Sequence, residues 1–106
     1  MSISNQLDER DIRIVAECMA AVVNGDLFPE WEFDTLFGVS REAVRDVSST
    51  WPNVDFPDQV TSDAIVGSLN NLLGYPHRRE EDWQKYISVA PAEVKAVLDK
   101  LFALGL

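Results

Sequence analysis

The stretch Leu7-Asp8-Glu9-Arg10-Asp11-Ile12-Arg13-Ile14-Val15-Ala16-Glu17-Cys18-Met19-Ala20-Ala21-Val22-Val23-Asn24-Gly25 decides the fold class. Asp8 is a helix N-cap followed by an acid three residues later, and Leu7 and Ile12 flank the cap as a hydrophobic staple would. Ile12, Val15, Ala16, Met19, Val22 and Val23 recur at helical spacing, so one face of the segment is apolar. Gly25 follows as a stop. An amphipathic helix from Asp8 to about Val23 is therefore the reading with which the rest of the chain must agree.

The same device recurs downstream. Pro29 suits a first helical position, and a short helix from there to before Gly38 buries Phe33, Leu36 and Phe37. Val39-Ser40 repeats the staple and cap, with Val44 as the partner of Val39. The helix it opens carries Ala43, Val44 and Val47 inward and ends near Trp51-Pro52. Pro52 to Pro57 reads as a loop. A further helix from about Asp58 or Ser62 to Leu73 bears the stripe Ile65, Leu69, Leu72 and Leu73, closed by Gly74-Tyr75-Pro76. A helical turn from Glu80 to Tyr86 packs Trp83, Tyr86 and Ile87 inward. The last helix opens at Pro91, with Val89 and Val94 as its staple and Glu93 at the third position. Sustained period-two alternation is absent. The expectation is an all-α, single compact domain of about five helices in an orthogonal array over residues 1–106, with room for one short strand near Ile87 to Val89.

At 106 residues the chain can bury one core without staples, and its 46 % apolar and 25 % charged content is that of a globular domain. No apolar run reaches the ~20 residues of a membrane span. Met1 to Arg10 has no basic region followed by an apolar one, and Cys18 is the only cysteine. These features point to a reducing, cytoplasmic location, with no membrane partner.

The formal net charge is −9. It is concentrated: Asp8 to Asp34 carries eight acids against Arg10 and Arg13, and from Gly67 onward acids and bases balance. Such a field repels nucleic acid and attracts a cationic partner, although it also serves solubility alone.

Four constellations of residues are candidates for chemistry. Glu32 to Val47 resembles a helix-turn-helix, with Gly38 at the turn and Phe33, Val39, Val44 and Val47 at its apolar positions. Asp34 departs from the small residue expected there, and Glu42 and Asp46 offset Arg41 and Arg45, so an ordinary helix corner is the simpler reading. Glu30-x-Glu32-x-Asp34 and Asp55 near Asp58 alternate acids but lack the turn glycine and distal glutamate of a calcium loop, so no metal or cofactor is assigned. His77 is the single histidine, in the turn Tyr75-Pro76-His77-Arg78-Arg79, and Cys18 and Ser40 read as a core residue and a cap, so no catalytic residue is assigned. Trp31, Trp51 and Trp83 remain, as interface anchors or as core.

As a whole the chain resembles the small acidic immunity proteins of bacteria, of the colicin and contact-dependent inhibition type: about a hundred residues, helical, strongly acidic and without catalytic machinery. That resemblance implies a non-enzymatic antitoxin whose acidic face covers a basic toxin or nuclease partner. The residues expected to face the partner are Glu30, Glu32, Asp34, Asp55 and Asp58, with Trp31 as an anchor and the turn bearing Tyr75 and His77 as a second recognition element. The rival expectations are a helix-turn-helix DNA-binding regulator and a structural or oligomerisation module. The oligomeric state stays open.

Overall fold

The computed structural model describes residues 6–25, 28–53, 58–74 and 83–106. Six helices follow one another: α1 (Glu9–Asn24), α2 (Glu30–Phe37), α3 (Arg41–Thr50), α4 (Gln59–Gly74), α5 (Trp83–Tyr86) and α6 (Pro91–Ala103). Among the described residues there is no strand, and the protein is all-α.

α1 begins where the sequence places it. The Asp8 carboxylate accepts the Asp11 N–H at 2.8 Å, and this bond holds the Asp8 carboxyl below its usual range. The buried face of α1 is broader than the stripe read from the sequence. Ile14, Val15, Cys18, Met19, Ala21 and Val22 are all buried, whereas Ile12 and Ala16 are only half-buried. The reason is position: α1 touches α3, α4, α5 and α6, so neighbours cover it on more than one side. Gly25 ends the helix in extended backbone (φ −82°, ψ 166°) and not in the left-handed conformation. A Cβ there would lie 2.6 Å from the Ala21 carbonyl oxygen and 3.2 Å from the Tyr86 ring, so glycine is required by crowding.

Asp11 is the one buried acid among the described residues, at 4 % exposure, and Lys100 of α6 meets it at 2.7 Å. The bond raises the Lys100 ammonium above its ordinary value. Arg10 pairs with Glu93 beside it, so two ion pairs join the start of α1 to α6.

Pro29 stands one residue outside α2, because its ψ of 140° is extended. α2 ends at Gly38, which adopts the left-handed conformation (φ 74°) and donates its N–H to the Asp34 carbonyl at 2.9 Å. Two residues on, the Ser40 hydroxyl accepts the Ala43 N–H at 3.1 Å and opens α3. Trp51 closes α3 by donating its indole N–H to the Ile12 carbonyl at 2.9 Å. α4 starts at an Asp58 cap, whose carboxylate accepts the Thr61 N–H at 2.9 Å.

Gly67 on α4 faces Phe37, where a Cβ would sit 3.2 Å from the ring, and Asn71 donates to the Leu36 carbonyl at 3.0 Å. The Asp63 carboxylate lies beside Gly38. The last turn of α2 thus packs across α4 between Asp63 and Asn71.

The strand for which the sequence left room at 87–89 does not form. Its backbone groups bond to side chains: the Ser88 N–H donates to Glu17 at 2.6 Å, and the Val89 carbonyl accepts the Trp83 indole N–H at 2.7 Å. α6 then opens with Ala90 in the cap position, its N–H bonded to the Glu93 carboxylate at 3.0 Å.

The turn between α2 and α3 has a direct test. Gly38→Ala should lower stability by about 1 kcal/mol, because an alanine in the left-handed region is strained while the nearest atom leaves room for its methyl. Gly38→Asn should lose less, since asparagine tolerates that conformation better. Urea denaturation of the three proteins measures both, and equal stability of all three would refute the assignment.

Candidate functional site

Of the eight residues expected to face a partner, Asp55, Tyr75 and His77 lie outside the described residues. Four of the other five come together on α2: Glu30, Trp31, Glu32 and Asp34. Asp58 lies on a different element, as the N-cap of α4.

α2 has two sides with different tasks. Inward, Phe33 stacks on Phe37 with ring centroids 4.2 Å apart and planes 7° from parallel, and Phe28 meets Phe37 edge-on at 5.1 Å. Outward stand Trp31, Asp34 and Thr35, spaced to share a face. Trp31 is 80 % exposed, the most exposed of the large apolar side chains described. Its counterparts Trp51 and Trp83 are half-buried against the core, and each satisfies its indole N–H on a backbone carbonyl. Two tryptophans are therefore core and one is displayed. Beside Trp31 lies a shallow, open depression of about 280 Å³ lined by Trp31, Glu32, Thr35 and Leu36. All four belong to one helix, so the feature suits a single side chain laid against a surface better than an enclosed substrate.

Arg41 holds this face in place. Its Nη1 donates to the Val22 carbonyl at 2.9 Å, its Nη2 to the Phe28 carbonyl at 3.2 Å, and its Nε to the Glu30 carboxylate at 2.8 Å. The guanidinium carbon lies 4.6 Å from the centre of the Phe33 ring. A side chain on α3 therefore binds the end of α1, the residues before α2, and α2 itself. The sequence shows Arg41 only as a charge offset by Glu42 and Asp46 at a helix corner, and this role is not visible there. One signal was available: α1 has no basic residue in its last turn, so its terminal carbonyls need donors from elsewhere.

The helix-turn-helix resemblance looks different in three dimensions. α2 packs on α4, and α3 packs on α1 and α4. Of the two arginines on α3, Arg41 is turned into the fold and Arg45 is exposed. Ser40 serves as a cap. Cys18 is fully buried, and burial pushes its thiol up to about 12, so it stays protonated in the core. Among the described residues no group of three His, Cys, Asp or Glu side chains is placed to hold a metal ion. No described helix is long and apolar enough to cross a membrane.

No family model, curated protein or solved structure is detectably similar to the chain.

The Arg41 assignment predicts an unusual ranking for a residue at the surface end of a helix. Arg41→Met should cost about 2–4 kcal/mol, because it strips donors from several carbonyls at once. Arg41→Lys should recover only part of the loss, since an ammonium cannot span these acceptors and the Phe33 face together. Denaturant unfolding checks the order, and losses within ~0.5 kcal/mol of wild type for both variants would contradict it.

Proposed function

We propose that this chain is a non-enzymatic protein-binding module that recognises a basic partner through the outer face of α2. The reading it fits best is a cytoplasmic immunity protein, an antitoxin that covers the cationic site of a toxin or nuclease. The observation that carries this is Trp31: a large indole left 80 % exposed on a helix that also carries the exposed Glu30 and Asp34 and the half-buried Glu32. Displaying an indole in water has no benefit for folding, whereas aromatic anchors ringed by charge recur at the centres of interfaces.

Charge and anchor divide the work. The acids of the first third of the chain steer a cationic surface inward from a distance, and the aromatic side chain then slows its departure. For a DNA-binding regulator, the engagement of Arg41 with Val22, Phe28 and Glu30 removes a cation that recognition of phosphate would use.

The test is the association rate of a partner captured from host lysate, measured over a range of salt. Glu32→Lys with Asp34→Lys is the informative variant, because Glu30 also supports Arg41 and reversing it would disturb the fold. The double reversal should slow association at low salt by roughly tenfold or more and flatten its salt dependence. An unchanged rate at low salt would remove the acidic face of α2 from the account.

A further inference from the structure

We propose that the outer face of α2 takes an arginine side chain of its partner, the guanidinium stacked on the Trp31 indole and paired with the Asp34 carboxylate. This rests on the reading of α2 as a surface for a basic partner, and names the group that surface selects.

The protein already contains one such site. Glu30 and Phe33 stand three residues apart on α2 and both contact Arg41, whose Nη atoms are held by the Val22 and Phe28 carbonyls: the Glu30 carboxylate takes Nε at 2.8 Å and the Phe33 ring lies 4.6 Å under the guanidinium carbon. On the outer side, Trp31 and Asp34 are the same pair in reverse order at the same spacing. An aromatic and an acid three residues apart on a helix are surface neighbours, within reach of one bound group. Trp31 presents the better ring for a cation, since indole has the strongest negative face among the aromatic side chains. The depression beside it, lined by Trp31, Glu32, Thr35 and Leu36, offers the apolar surface of Trp31 and Leu36 to the stem of an arginine.

Charge fixes the sign of the occupant. The segment from Asp8 to Asp34 has eight acids and two arginines, so an anionic partner is repelled, and so is the same face of a second copy. The flat, weakly hydrated guanidinium stacks on an indole and pairs with a carboxylate at once, while an ammonium keeps more of its water. The surface therefore prefers arginine to lysine at equal charge.

The experiment titrates the full chain at low ionic strength with hexa-arginine and with hexa-lysine, following heat and tryptophan fluorescence. Wild type should bind hexa-arginine about two- to fivefold tighter than hexa-lysine, the range of an exposed cation–π contact. Trp31→Ala should abolish that preference while leaving the shared, charge-driven binding, and Trp31→Phe should keep part of it. Asp34→Asn should weaken hexa-arginine more than hexa-lysine. Equal affinities in wild type, or a preference that survives Trp31→Ala, would overturn the proposal while leaving the basic-partner reading standing. Binding of neither peptide would overturn both. A fluorescence change that depends on protein concentration without peptide and vanishes in Trp31→Ala would give the face to a second copy, and so overturn the arginine assignment.

Discussion

The guanidinium of Arg41 is the constraint on which the rest of the arrangement depends. α1 ends without a cation of its own, and its last carbonyls would otherwise face a crowded junction. Arg41 brings donors to Val22 and Phe28 and a charge to Glu30, while its flat face covers Phe33. Five donors in one rigid plane make this possible, and no other side chain offers them. The consequence for function is orientation. With Phe33 and Phe37 drawn inward, the helical period turns Trp31 and Asp34 outward.

The opposite flank of α2 is fixed by α4. Gly67 lets the Phe37 ring approach closely, and Asn71 reaches the Leu36 carbonyl at 3.0 Å, so a short helix of weak intrinsic stability is clamped from two sides. α1 lies at the centre, joined to α6 by Asp11–Lys100 and Arg10–Glu93, and to the segment after α5 by Glu17. A displayed side chain on so well-anchored a helix is pre-organised, so little ordering cost attends its use in binding.

The local signals were legible because their causes are local. Asp8, Ser40 and Gly38 act within four residues of themselves, and each does what its type and spacing imply. Pro29 was misplaced by one residue, since its fixed φ suits the cap and the first turn equally and only ψ distinguishes them. The breadth of the α1 core was not legible, because Ile14 and Ala21 are buried by α-helices distant in sequence. Nor was Arg41: its acceptors lie 11 to 19 residues away, and no periodicity encodes such a contact. The candidate site was half legible. Alternating acids around Trp31 marked α2, but the sequence could not show that Trp51 and Trp83 would find carbonyls and Trp31 would not be drawn in. Asp58 shares their charge but belongs to another element, where its carboxylate accepts the Thr61 N–H as the cap of α4.

If Arg41 is what holds α2, then native-state hydrogen exchange of Arg41→Lys against wild type shows it most directly. The account predicts that the amides of Phe37 and Gly38 lose protection roughly tenfold beyond what the fall in global stability explains, while those of Val15, Leu69 and Leu98 follow global stability alone. Uniform loss across all five amides, or unchanged protection in α2, would contradict it and leave aromatic packing and the contacts with α4 to anchor that helix.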